Sequence, residues 1–383
     1  MMLTGTCCGG DGGAWLVSRM PSPLPLSRPG EGMPAFHSPP EAPYSPVYLC
    51  CGAIMRVGLS SLVGLALLAL PALAQDITLR LPVACEIGRT CFIQNYLDRD
   101  PSPAVSDHQC GTLTYEDHDG TDIRIPNMLA QQAGVDVVAA ADGKVANTRE
   151  GVPDTAVTEQ TREKISQIGC GNAVVIDHGN GWRTAYCHMA KGSVTVRSGR
   201  EVKAGDKIGQ IGLSGLTEYP HLHFTLLKDG KPVDPFAYGA PEKSCGGGKS
   251  LWEASLQRTL AYQAGTVLNK GFAGGPVTME AIESGAAERE TPTTKSPALV
   301  AFVRAIGLKG GDVQTLTLFD PDGKPLAQNK APPLDRAKAQ WMAFSGVKQP
   351  EGGFRPGLYR AVYRVERDGK PAIEQAFGIS LRP

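Results

Sequence analysis

Residues 220–236 read PHLHFTLLKDGKPVDPF. Polar and apolar types alternate from His221 to Leu226, which is the period of a strand rather than a helix. With a side-chain period of two, His221, His223 and Thr225 share one face, while Leu222, Phe224 and Leu226 turn to a core. Asp229-Gly230 then supplies the turn of a hairpin. Two imidazoles therefore enter one cleft with their backbones about 7 Å apart.

The same kind of pattern extends upstream. VDVVAAADGKVANT around Asp142-Gly143 and NAVVIDHGNGWRTAYCHM around Asn180-Gly181 each read as a hairpin. VKAGDKIGQIG sets glycines at recurring turns between β-branched residues. A polar stretch between Asn147 and Gly169 shows no strand period and reads as a long excursion with a helical turn, a kind of insertion often tied to function. Residues 118–240 thus predict a small antiparallel β domain.

Four of the seven histidines fall in this domain at three motifs. In His118-Asp119-Gly120-Thr121-Asp122, a loop runs into the alternating Asp122-Ile123-Arg124-Ile125. Gly120 lets the backbone fold so that His118 and Asp122 reach one cation. Tyr186-Cys187-His188-Met189 ends a strand, which predicts Tyr186 and His188 on one face and Cys187 on the other. Imidazole and carboxylate ligands with an open fourth position make a catalytic zinc site. Two His and one Asp supply three ligands, and the remaining two His can carry protons near neutral pH. Local physics leaves open which His of the H-x-H pair is the ligand.

Taken in chain order, the H-x-G-x-D of His118 to Asp122, the Tyr-x-His of Tyr186 to His188 and the H-x-H of His221 to His223 resemble the lysostaphin/LytM-type zinc metalloendopeptidases. AADGKV, VVIDHGNGW and VKAGDKIGQIG lie between these motifs and share the resemblance, which runs from His118 to about Asp234. It implies an antiparallel β-sheet groove with one zinc ion bound by His118, Asp122 and His223. His188 and His221 are then the catalytic histidines beside a metal-activated water. There is no H-E-x-x-H helix to offer a glutamate base, so proton transfer falls to a histidine. The excursion after Asn147 and the Glu218-Tyr219 pair depart from the family pattern and bear on substrate preference rather than on metal binding.

The rest of the chain sets the context. Its 383 residues carry 38 basic and 38 acidic side chains, so no bulk field points to nucleic acid or an anionic membrane. With 42% hydrophobic residues the chain as a whole is not disordered. Residues 55–74 hold one basic residue, an apolar run from Val63 to Leu70 and the ending Ala72-Leu73-Ala74, the shape of a secretory signal peptide. The run is too short for a comfortable membrane span of about 20 residues, so no stable span is expected after cleavage. Residues 1–54 are rich in Pro, Gly and Ser and read as a non-native or disordered leader, with translation starting at Met55. Cys85, Cys91, Cys110, Cys170, Cys187 and Cys245 follow the signal. An even number in an exported chain reads as disulfides, and Cys85 with Cys91 is the easiest pair to propose.

Residues 75–117 read as an irregular N-terminal arm. Residues 241–294 read as a Gly-rich linker, partly helical, with Leu251, Trp252, Leu256 and Leu260 as a packing face. Residues 295–383 lack His and Cys and predict a small immunoglobulin-like β-sandwich about the turns Asp322-Gly323 and Asp368-Gly369. Of the other histidines, His178 reads as structural, His108 as part of a solvated or disulfide-adjacent loop, and His37 as leader without a role. The whole points to an exported zinc endopeptidase acting on peptide cross-links of bacterial peptidoglycan, in the periplasm or exterior of a Gram-negative cell. The resemblance favours D-alanyl-meso-diaminopimelate cross-links over glycine bridges. The alternatives are a non-catalytic cell-wall module that activates other hydrolases and a peptidase of protein substrates; the complete ligand set favours the enzyme.

Overall fold

Two of the expected turns close hairpins because their residues tolerate positive φ. Asn180 and Gly181 (φ 50° and 77°) join two strands, and Asp229 and Gly230 (φ 50° and 79°) join two more. The computed structural model describes residues 76–383; the leader (1–54) and signal peptide (55–74) lie outside the described residues.

In chain order the first part holds β1 (Phe92–Asn95), β2 (Thr121–Arg124), α1 (Met128–Ala133), β3 (Asp136–Val138), β4 (Gly143–Arg149), α2 (Glu159–Ser166), β5 (Asn172–Gly179) and β6 (Trp182–Met189). It continues with β7 (Glu201–Val202), β8 (Lys207–Gln210), β9 (His221–Lys228) and β10 (Lys231–Pro232). Antiparallel pairing in the order β1-β2-β9-β6-β5-β4-β7, with β10 on β9, makes one sheet, and β3 pairs with β8 in a second. Residues 136–149 therefore form no hairpin across Asp142-Gly143: the two strands there belong to different sheets. The alanines between them, Ala139 to Ala141, are buried, and Asp142 accepts from the Ala204 backbone N–H and pairs with Lys203.

The alternating strand does what its period dictates. Leu222, Phe224 and Leu226 enter a core with Ile123, Ile125, Val174, Ile176, Tyr186 and Trp252. The arm is not irregular throughout, because β1 pairs with β2 and closes that edge of the sheet. The excursion carries α2, as its polar composition allowed.

Downstream, the expected helical face at 251–260 is one 3₁₀ turn, Ala254–Leu256. Leu251, Trp252 and Leu260 are nevertheless buried in the first core. Packing onto the sheet, including a bridge from Leu79 to Trp252, replaces helix propagation there. The stretch read as linker also contains β11 (Thr266–Ala273), α3 (Met279–Glu283) and α4 (Ala286–Arg289). After it come β12 (Ala298–Leu308), β13 (Val313–Phe319), β14 (Pro325–Lys330), β15 (Lys338–Lys348), β16 (Gly357–Arg367) and β17 (Lys370–Leu381).

These seven strands form two antiparallel sheets, β11-β12-β15 and β14-β13-β16-β17. They share a core of Phe272, Leu299, Ala301, Val303, Leu316, Leu318, Tyr363 and Val365. The seven strands divide four and three, as in an immunoglobulin constant domain, but the fourth in chain order, β14, lies beside β13 instead of beside β15. The tight turn around Asp320–Lys324 returns β14 onto β13, so it does not extend the other sheet. The six cysteines among the described residues pair as Cys85–Cys91, Cys110–Cys245 and Cys170–Cys187. Among the described residues no helix is long and apolar enough to cross a membrane.

Candidate metal centre

Strand register brings the first two groups together. β2 runs antiparallel to β9 with Asp122 opposite His223 and Arg124 opposite His221. Directly opposed residues on one face are side-chain neighbours, so Asp122 and His223 meet. The loop before β2 must then pass close to β9, and Gly120 permits it: a Cβ there would lie 2.8 Å from the His223 ring and from the Phe224 carbonyl oxygen. That approach delivers His118.

Three atoms form a nearly equilateral triangle. His118 Nε2 lies 3.1 Å from Asp122 Oδ1 and 3.2 Å from His223 Nδ1, and Asp122 Oδ1 lies 3.0 Å from His223 Nδ1. Tetrahedral ligands about 2.0–2.1 Å from a zinc ion are separated by about 3.3 Å, so the triangle is close to one face of such a tetrahedron. His118, Asp122 and His223 form the one group with metal-ligand spacing found among the described residues.

The outward atom of each residue has its own partner, which fixes the tautomers. His118 Nδ1–H donates to the Tyr96 carbonyl oxygen (2.6 Å), leaving Nε2 with a lone pair for the centre. His223 Nε2–H lies between Asp119 Oδ1 (2.9 Å) and Thr225 Oγ1 (3.0 Å), which turns Nδ1 toward the centre. Asp122 Oδ2 accepts from Asn95 Nδ2 (2.9 Å). Outer hydrogen bonds of this kind orient metal ligands and raise their basicity. Asn95 and Tyr96 come from the arm, and no feature of its sequence marked them. Asp119 was visible inside the first motif and Thr225 on the shared strand face, each without an assigned task.

His188 and His221 stand beside the triangle. His221 Nδ1–H donates to the Tyr219 carbonyl oxygen (3.0 Å), with Thr217 Oγ1 at 3.2 Å, and its Nε2 reaches 3.4 Å from Asp122 Oδ1. His188 Nδ1–H donates to the Ser214 carbonyl oxygen (2.8 Å), which leaves Nε2 as its free nitrogen. The His188 ring is 4.7 Å from that of His221 and 6.0 Å from that of His223.

Tyr186 and His188 do not share a face as strand alternation predicted. Tyr186 lies in the core, where its hydroxyl accepts from the Ala140 N–H. His188 breaks the alternation with a left-handed backbone, φ 60°, a conformation that costs a non-glycine residue on the order of 1–3 kcal/mol. Its N–H donates to the Cys170 carbonyl oxygen, and its own carbonyl accepts from the Gly212 N–H. Cys170 is bonded to Cys187, the residue before His188. Replacing both cysteines by Ser is expected to lower stability by about 3 kcal/mol, the entropy of a loop of this length, and to reduce kcat by loosening His188. Urea midpoints and steady-state kinetics check the two effects separately.

The five residues are buried, none more than 9% exposed. Burial drives the His188 imidazole well below its usual pKa, and the neighbouring His221 and His223 push the same way. At His223 burial also opposes charge, but hydrogen bonds and attraction from Asp119 and Asp122 outweigh it and raise the pKa to about 10. Asp122 is held well below the carboxylate range, because His118 and His221 overcome its own desolvation. The pocket is thus built to hold positive charge at the triangle and a neutral imidazole at His188. Asp119→Asn, which removes the anion behind His223, is expected to weaken divalent-metal affinity about 10-fold, measured by chelator competition.

The other two histidines among the described residues, His178 and His108, stay apart. His178 hydrogen-bonds the Asp142 carbonyl and Thr184, a structural role as expected. His108 is not solvated: it packs among Tyr96, Phe236 and Tyr262, close to the Cys110–Cys245 bridge.

The sequence profile of peptidase family M23 matches residues 116–235. The chain is 33% identical over 132 residues to the peptidoglycan DD-endopeptidase ShyA of Vibrio cholerae, a match covering 33% of this chain and 25% of that protein. It is 34% identical over 128 residues to the cell division protein DipM of Caulobacter vibrioides, covering 32% and 17%. Against the DD-carboxypeptidase/endopeptidase Mpg of Neisseria meningitidis the identity is 32% over 128 residues, covering 33% and 24%. The chain therefore spans a quarter or less of the length of each of these relatives.

Proposed function

From the premise that residues 116–235 are a peptidase family M23 domain of the LytM/lysostaphin type, we propose that the chain is a zinc-dependent endopeptidase of peptidoglycan peptide cross-links. The His118–Asp122–His223 triangle, with each outward atom anchored, is the observation that carries this. A zinc ion held there would bring the pKa of a coordinated water to about 7 and polarise the scissile carbonyl.

The chain's own residues do the rest. His118, Asp122 and His223 hold the ion. His188 and His221, each with Nδ1–H tied to a backbone carbonyl, present Nε2 as proton carriers. Hydrolysis adds water across the C–N bond: oxygen bonds to the carbonyl carbon, and a histidine Nε2 takes a proton from the water and passes it to the departing amine. Once it has taken that proton, the Nε2–H of this histidine also faces the negative charge that develops on the carbonyl oxygen.

Relatives named as peptidoglycan endopeptidases support the cell-wall substrate, and the signal-like segment 55–74 supports action outside the cytoplasm, in the periplasm or exterior of a Gram-negative cell. A relative named for cell division rather than for hydrolysis keeps a wall-binding activator as the second reading, against which the full ligand set weighs. Metal analysis of the purified protein tests the proposal. One zinc per chain is expected, with peptide-bond hydrolysis lost on chelation and regained on adding zinc; a protein that binds no divalent metal would overturn it.

A further inference from the structure

Two arginines with no exposed surface, Arg124 and Arg304, meet where the two halves of the chain touch. Arg124 lies on β2 two residues beyond Asp122, and Arg304 lies on β12. Both guanidiniums bond to Oε2 of one carboxylate, Glu283, at the end of α3. Arg304 also donates to Asn269 on β11 and to the Pro126 carbonyl. Arg124 donates to Gln94 of β1 (2.7 Å) and to Gln340 of β15 (3.3 Å). Glu288 of α4 accepts from Asn127 across the same boundary and from Asn269 of β11 on its own side of it. Two buried like charges sharing a carboxylate tolerate little displacement, because loss of the carboxylate leaves both uncompensated.

From Arg124 the contacts run into the site. Its guanidinium lies 4.0 Å from the centre of the Tyr219 ring. Tyr219 in turn touches both sides of the centre. Its carbonyl accepts from His221 Nδ1–H, and its ring lies 4.9 Å from that of His221. Its hydroxyl is bonded by Gln94 (3.0 Å) and Asn95 (3.4 Å), and the same Asn95 amide holds Asp122 Oδ2.

We infer that Glu283 and Arg124 are positioning residues for the hydrolytic site: the C-terminal β unit, acting through Glu283, presses Arg124 onto Tyr219 and so sets Asp122 and His221. The unit is then a wall of the active site rather than an appended binding module. This rests on the peptidase function proposed above, so the test carries a readout that does not need it.

Full-length Glu283→Gln, Tyr219→Phe and the double variant are compared with wild type in zinc affinity by chelator competition, and in kcat and KM on muropeptide dimers. Glu283→Gln should weaken zinc binding by about 3–10-fold, within the range for groups behind metal ligands. It should lower kcat about 10-fold with KM within about twofold, because the geometry of the centre and not substrate contact is altered. The double variant should lose little more zinc affinity than the worse single variant, the non-additivity of residues on one path. Additive losses, or a Glu283→Gln protein that melts earlier but keeps wild-type zinc affinity, would overturn the inference. If Glu283→Gln does not fold, Glu283→Asp keeps the charge, withdraws the oxygens by one methylene, and carries the same comparison. A wild type that cuts no muropeptide would sink the peptidase proposal, while the zinc-affinity cycle would still decide the positioning claim.

Discussion

His118→Ala is expected to remove both the metal and the activity. The triangle loses the corner delivered by the Gly120 approach, and Asp122 Oδ1 and His223 Nδ1 alone leave a two-ligand site. The metal's charge stabilisation is worth several kcal/mol in such chemistry, so kcat/KM should fall by at least about 10³-fold. The fold should persist, because the core lies on the other side of the sheet, with Leu222, Phe224 and Leu226. Zinc content, melting temperature and turnover measured together check this. A His118→Ala protein that keeps stoichiometric zinc would show that the triangle is not the binding site.

The second large effect separates ligands from proton carriers. His188→Ala and His221→Ala should each lower kcat by about 10²–10⁴-fold while zinc stays bound, whereas His223→Ala should release it. The distinction is sharp for the H-x-H pair, because His221 Nε2 comes within 3.4 Å of the same Asp122 oxygen that His223 approaches at 3.0 Å. What divides them is the rest of each ring. His223 is backed by the Asp119 carboxylate, as a ligand to a cation is; His221 is tied only to a backbone carbonyl and Thr217. Loss of zinc from His221→Ala with retention in His223→Ala would reverse the assignment.

The strand period placed His221, His223 and Thr225 together in advance, and the spacing of His118 and Asp122 around Gly120 pointed to one centre. What sequence could not carry was register. That Asp122 sits opposite His223, one residue away from a different pairing, is set by the sheet as a whole. The outer partners were hidden for a related reason: Asn95 and Tyr96 reach the ligands only because a strand of the arm pairs with β2. Alternation misled at His188, where a left-handed residue turns the ring out of the strand pattern. Of the disulfides, Cys85–Cys91 was readable from its closeness, but Cys110 and Cys245 are 135 residues apart and meet only through tertiary packing. β11 went unread because its stability comes from pairing with β12 and not from its own composition, with Lys270 and Gly271 in mid-strand.

The most direct measurement is mass spectrometry of isolated cross-linked muropeptide dimers after incubation with the purified protein, the chelated protein and the chelated protein resupplied with zinc. Hydrolysis by the first and third but not the second, each cut adding one water and releasing one new amine and one new carboxylate, is the predicted result. Intact dimers after incubation with protein that carries a full equivalent of zinc would contradict the account.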